Sequence, residues 1–225
     1  EELTAVTKEL FTTFKYGYYS PVSLGFTSNT WSTIWNGIHQ CYMFQESLKQ
    51  VSNEYVTDEM KKQYLAESNF LIAYYHFLSM RSYGPTMIIR SVIDLETPIS
   101  GFPERSSIDE VVAFINEKLD EAMSEGGLPT TWSGKDYGRA TRLAALALKS
   151  RVYLYAASPL YNGNTEMYAD FRSPLDGRQL IAQEKSQAKW EISATQTKYA
   201  IDEVEKAKFH LYHDADAGEP SDAKP

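Results

Sequence analysis

The segment from Asp58 to Tyr83 constrains the chain more than any other. Apolar residues return there at helical spacing on two sides, with Met60, Tyr64, Leu71, Tyr74 and Leu78 along one and Ala66, Phe70, Ala73 and Phe77 along the other. A helix that is apolar on two sides needs several neighbours to cover it, so the chain has to build a helical array around this one. Gly84-Pro85 ends it, because proline cannot continue a helix and disfavours helical backbone in the residue before it.

The other segments supply such neighbours. A first helix is expected from about Leu3 to Phe14, and a second from about Asn29 to Lys49 with Ile34, Ile38, Cys41, Gln45 and Leu48 on one stripe and Ser28 or Asn29 as its cap. Ser107-Ile-Asp-Glu110 reads as a capping box, and Ile108, Val112, Ile115, Leu119 and Ala122 carry that helix to Gly126-Gly127. Thr141 to Ser158 is apolar nearly all round and stops at Pro159. A further helix from about Ala188 to Lys208 carries Trp190, Ala194, Thr197, Ile201 and Val204. Runs of strict alternation are scarce, so the class is mainly α.

Helix starts at Asp58, Ser107 and Thr141 are unevenly spaced, whereas a regular tetratricopeptide repeat places two helices in about 34 residues. The expected architecture is therefore an irregular, tetratricopeptide-like set of antiparallel helix pairs with long loops that contain aromatics. The helices from Asp58 and Ser107 form one pair, and those from Thr141 and Ala188 another. Residues 1–213 form the helical portion and 214–225, rich in small and charged residues, a frayed or linker-like tail.

Composition excludes several functions. With 43% hydrophobic residues in 225, the chain can bury a sizeable core. A formal net charge of −8 repels a phosphate backbone and anionic lipid heads, which argues against nucleic acid as a partner. Cys41 is the only cysteine, so neither an internal disulfide nor a CxxC site is available. There is no GxSxG, HExxH or phosphate-cradling glycine loop. No cofactor is expected. His210 and His213 beside Asp214 and Asp216 have the spacing of metal ligands, but at a polar chain end they read as solvated, and no metal is expected.

The stretch Gln63-Tyr-Leu-Ala-Glu67-Ser-Asn-Phe70-Leu-Ile-Ala-Tyr74-Tyr-His-Phe77, followed by Tyr83-Gly84-Pro85, resembles the long core helix of SusD/RagB-like proteins. Arg105-Ser-Ser-Ile-Asp-Glu110-Val, Leu119-Asp-Glu-Ala122 and Leu128-Pro129 are similar to the family's next helix and its exit. Gly138-Arg139-Ala-Thr141, Ala144-Ala145-Leu-Ala147-Leu-Lys149 and Val152-Tyr-Leu-Tyr155-Ala-Ala-Ser-Pro159 resemble the segment after it. Trp35-Asn36-Gly-Ile38 fits its tryptophan-containing N-terminal helix.

The resemblance covers the N-terminal portion of such a protein. It implies a non-catalytic lipoprotein anchored on the extracellular face of the outer membrane. Such a protein captures a nutrient, most often a glycan, sometimes a peptide, and acts as a lid on a SusC-like TonB-dependent transporter. The export signal and the acylated cysteine are expected to lie outside this sequence, since Cys41 falls inside a helix. Two other readings stand beside it, a helical scaffold that binds another protein and a helical-toroid glycosidase.

Sugar capture needs flat rings for C–H faces together with amide or charged groups for hydroxyls. Tyr18, Tyr19, Phe26 and Trp31, with Asn29 among them, form the densest candidate cluster, and Trp132 stands in a polar loop between Thr131 and Ser133. Trp31 also falls on the side of Ile34 and Ile38, where packing claims it. Glu67 could serve as a catalytic acid, but it reads better as a carboxylate paired with Arg139 or Arg151, and the sequence places no second carboxylate beside it.

Overall fold

A computed structural model describes residues 25–94 and 96–211; side chains are described from residue 30 onward, except that of Ile99. The helix expected over Leu3–Phe14, and the tail 214–225, lie outside the described residues. Six α-helices are described: α1 (Gly25–Gln50), α2 (Asp58–Tyr83), α3 (Ile108–Ala122), α4 (Arg142–Ala157), the single-turn α5 (Thr165–Tyr168) and α6 (Gln187–Lys206). The described β-structure consists of two short strands, β1 (Thr86–Met87) and β2 (Arg105–Ser106), with two isolated bridges. The fold is mainly helical.

Local chemistry sets the helix ends. The Thr57 hydroxyl accepts from the Met60 amide at 3.2 Å to start α2. At its other end Gly84 adopts φ 70° and ψ −135°, and its N–H donates to the Met80 carbonyl. The Ser107–Glu110 capping box is present at α3, with the Ser107 amide donating to Glu110 Oε2 at 2.7 Å. Helix α1 is described from Gly25, four residues before the expected boundary, and no proline or further glycine interrupts the backbone between Gly25 and Trp31. Phe26 and Asn29, expected in the aromatic loop and at the cap, are therefore inside the helix. Helix α3 stops at Ala122, short of the expected glycines, and a turn carries the chain to Gly127.

Successive long helices run antiparallel. Trp31 meets Tyr83 while Gln45 bonds Asn69, which opposes α1 and α2. The β1–β2 ladder joins the end of α2 to the start of α3, and a Cβ at Gly127 would touch Ala66, which opposes that pair. Arg142 reaches Tyr199, Ser150 reaches Thr197 and Asn162 reaches Ser186, so α4 and α6 are antiparallel too.

Two apolar clusters share α2. Phe77, Ile115, Leu119, Ala145, Val152 and Ile181 belong to one, which joins α2, α3 and α4. Ile34, Ile38, Tyr42, Ile72, Ile89 and Phe114 belong to the other, which joins α1, α2 and α3. Two-sided burial of α2 thus holds: the expected side through Ala66, Ala73 and Phe77 is buried, with Phe70 packed against it, but the other side follows a different stripe from the expected one. Leu71 and Tyr74 are each 39% exposed, and α1 is met instead by Ser68 and Ile72. Ser68 donates to the Cys41 carbonyl and accepts from Gln45, so its polar group is satisfied inside the seam. On α6 the stripe is displaced as well, with Ser193 and Ala200 buried while Ile201 is largely exposed. Tyr161 of the last long loop is buried and donates to the Met80 carbonyl, and Tyr168 and Phe171 pack on the same core, which explains those loop aromatics as structural.

His76 lies fully buried between Trp35 and Phe114. Its Nδ1 lies 2.8 Å from the Ile72 carbonyl and donates to it, and its Nε2 accepts the Ile89 N–H at 3.3 Å. That pattern fits only the neutral ring, since a proton on Nε2 would face a donor. Burial, with Lys118 and Arg90 adding to it, lowers the His76 pKa to about 4.

Two predictions follow from this packing. Ile72→Ala is expected to cost about 2 to 5 kcal/mol in urea denaturation, against under ~1 kcal/mol for Leu71→Ala next to it. Similar costs for the two would contradict the observed stripe. For His76, the folded pKa lies below the ordinary value of 6.5, so its neutral form supports the fold fully above about pH 6.5. Stability should fall by roughly 3 kcal/mol as the pH drops from there to about 4. His76→Gln should remove that slope, and an NMR titration of the imidazole near 6.5 in the folded protein would refute it.

Candidate functional site

Helical spacing puts Trp31, Ser32, Trp35, Asn36 and His39 along one strip of α1, and these residues form one wall of a cleft of about 620 Å³. The opposite wall is the chain that leaves β1, with Met87, Ile89, Ser91, Ile93 and Asp94, closed at one end by Phe102. Three ties hold this irregular wall in place. Tyr42 Oη donates to the Ile89 carbonyl at 2.7 Å, the Ile89 amide donates to His76, and Arg90 grips Glu117 through two hydrogen bonds of 2.8 and 3.1 Å. The Arg90 guanidinium also lies 4.7 Å from the centre of the Phe114 ring, and its hydrogen bond holds the Glu117 carboxyl below the usual range. Burial pushes the Tyr42 phenol well up, so it stays a neutral donor to Ile89.

Trp31 is half-buried and set by two edge-on contacts, to Trp35 at 5.3 Å and to Tyr83 at 4.9 Å between ring centres. Trp35 in turn stands edge-on to His76 at 6.1 Å. Its indole N–H is shielded from water and has no hydrogen-bond partner, a state that costs on the order of 1–3 kcal/mol. The cleft thus offers indole surface, an imidazole, an amide, hydroxyls and one carboxylate, a set suited to holding a hydroxylated ring. Asp94 is the single carboxylate among the described lining residues, whereas glycoside hydrolysis ordinarily uses a pair.

Of the sequence candidates, the two whose side chains are described, Trp31 and Trp132, line different clefts. Trp31 lines this cleft. Phe26 and Asn29 are in the first turns of α1, with side chains outside the described residues, and Tyr18 and Tyr19 lie outside them altogether. Trp132 is elsewhere, on a cleft of about 460 Å³ beside the end of α6. Its N–H donates to the Ala140 carbonyl at 2.7 Å, and the Arg139 guanidinium lies 4.3 Å from its ring centre. Arg139 clamps Glu67 through Nε and Nη2 and bonds Asp136 at 2.9 Å, so the Glu67 carboxylate is paired as expected. The Glu67 hydrogen bond is the main reason the Arg139 pKa is raised. Of the cleft residues not singled out from sequence, Asn36 and His39 were reachable by helical spacing from Trp31 and Trp35. Asp94 and Phe102 carried no such signal, because only the tertiary ties to α1 and α3 bring them in.

Cys41 is buried, and burial pushes its thiol up, which leaves it unreactive. His210 is exposed and His213 lies outside the described residues. Among the described residues no group of three His, Cys, Asp or Glu side chains could hold a metal, and no helix is long and apolar enough to cross a membrane.

Residues 11–154 match the SusD-like family described as "Starch-binding associating with outer membrane". A solved structure named BT4246 is 35% identical, with a TM-score of 0.74 over 82% of this chain and 31% of its own. A SusD-like protein from Bacteroides fragilis NCTC 9343 is 25% identical, with a TM-score of 0.52 over 70% of this chain and 32% of its own. A laminarin-binding SusD-like protein is also 25% identical, with a TM-score of 0.50 over 57% of this chain and 26% of its own. The chain thus spans about a third of the length of these structures, and no curated protein matches it. The family match over more than half of the sequence, together with the likeness to BT4246, makes this chain a member of the SusD-like family.

Proposed function

We propose that the chain captures an oligosaccharide at the Trp31–Trp35 cleft, without catalysis. It does so as part of a lipid-anchored protein on the outer face of the outer membrane that passes ligand to a SusC-like TonB-dependent transporter. The observation that carries the reading is the half-exposed Trp31 ring, held at fixed tilt in a cleft that also presents Asn36, His39 and Asp94. A sugar laid on that ring buries its C–H face and turns its hydroxyls toward the amide, imidazole and carboxylate. The description of the family and the laminarin-binding neighbour support a glycan over a peptide. Trp35 lines the same cleft, and its unpaired N–H is a donor that a ligand hydroxyl oxygen would satisfy.

The scaffold reading has its own supporting feature, a groove on the other side of α1 lined by Phe44, Tyr64, Leu71 and Tyr75. Calorimetry with maltoheptaose, laminarihexaose and a peptide panel separates the two. Trp31→Ala is expected to weaken oligosaccharide binding tenfold or more. Its stability cost should be about 1–3 kcal/mol, below the 3–5 kcal/mol of a fully buried tryptophan. Trp35→Phe keeps most of the ring but deletes the N–H, and should leave stability level or higher while affinity drops. Binding of peptides alone would move the ligand class, and silence toward both would favour the scaffold.

A further inference from the structure

A second aromatic cleft is built where Glu67 of α2 holds the loop after α3, around the turn that carries Tyr137. That side chain is 85% exposed, yet its backbone is pinned. The Tyr137 amide donates to Gly134 at 3.3 Å and the Arg139 amide to Asp136 at 3.2 Å, while Gly134 and Gly138 take φ of 60° and 100°, values that side-chain-bearing residues avoid. Trp132 is fixed by its bond to Ala140, and Phe209, 50% exposed beyond α6, stands across the cleft. One exposed ring is ordinary on a protein surface. Three rings around one concavity, two of them on a pinned turn, mark a contact surface.

Charge narrows the occupant. The Arg139 guanidinium, the one charged side chain among the described lining residues of the cleft, lies 4.3 Å from the centre of the Trp132 ring. Glu67 and Asp136 both pair that guanidinium, so it offers no unpaired charge to a uronate or other anion. Thr141 accepts the Ala144 amide and keeps its O–H as a donor toward the cleft. Flat rings, a hydroxyl and a guanidinium that is already paired suit a neutral pyranose.

We infer that the Trp132–Tyr137–Phe209 cleft is a second site, for neutral glycans, independent of the Trp31–Trp35 cleft. At roughly 1.5 Å of rise per residue, the α2 stretch between Glu67 and Tyr83, which anchor the two sites, is about 24 Å long. No single sugar ring touches both. The glycan class rests on the proposed function; the location does not.

Titration calorimetry of the full chain with laminarihexaose and maltoheptaose, and with trigalacturonate as the anionic probe, tests the assignment. Two equivalents of at least one neutral oligosaccharide are expected, and no binding of trigalacturonate. Trp31→Ala should leave one equivalent, and in that background Tyr137→Ala should weaken the remaining site tenfold or more without moving the melting temperature, since so exposed a ring supports little packing. A single equivalent that Tyr137→Ala does not affect overturns the second site and leaves the first standing. Loss with Tyr137→Ala but not with Trp31→Ala does the reverse. Trigalacturonate binding as tight as the neutral sugars, or no heat from any neutral probe, overturns the inference.

Discussion

Everything described depends on how α2 is buried. One side of it, through Ala66, Ala73, Phe77 and Met80, enters the cluster shared with α3 and α4, while Ile72 enters the cluster shared with α1. A helix held on two sides cannot rotate to accommodate a change on either, so α1 and α3 keep a fixed relation through it. The Trp31–Trp35 cleft inherits that fixity, because one wall is α1 itself and the other is tied to α1 by Tyr42, to α2 by His76 and to α3 by Arg90.

Those ties are all polar, and they explain what the sequence displayed and what it concealed. The ends of α2, the capping box of α3 and the Glu67–Arg139 pair were legible, because each follows from local chemistry or from the need of a half-buried carboxylate for a partner. Of the two buried stripes of α2, the one through Ala66, Ala73 and Phe77 was legible and the one facing α1 was not. Apolar periodicity selected Leu71 and Tyr74, which the structure leaves largely exposed, and passed over Ser68, His76 and Ser79, which it buries. Each of the three is satisfied by a group from beyond its own helix: Ser68 by Cys41 and Gln45, His76 by Ile89, Ser79 by Thr86. A polar residue with a tertiary partner belongs to the core as surely as a leucine, but hydropathy along the chain cannot register the partner.

The candidate site was legible to the same degree and for the same reason. Trp31 announced itself as an aromatic at the start of a helix, and Trp132 as one in a polar loop, but nothing in sequence says that the two belong to different clefts. Their separation arises because Trp31 meets α2 at its last residue, Tyr83, whereas the loop after α3 is held to it at Glu67. The acidic wall residue Asp94 is positioned by an irregular segment whose path is dictated by hydrogen bonds to side chains far away in sequence, and such paths have no periodic signature.

Sequence also posed Trp31 as a choice between core and ligand contact, and the geometry removes the opposition. Its contacts with Trp35 and Tyr83, at 62° and 85° between ring planes, spend part of its surface on packing and leave part on the cleft. A side chain fixed in this way loses little rotational freedom when a ligand arrives, a cost that otherwise amounts to about 0.5–1.5 kcal/mol per immobilised side chain. Packing would therefore fit the ring for the proposed binding: the same two contacts that make Trp31 resemble a core residue hold it at a set angle in the cleft that Asn36 and His39 also line. A freely rotating tryptophan at that position would offer equal area and a poorer platform.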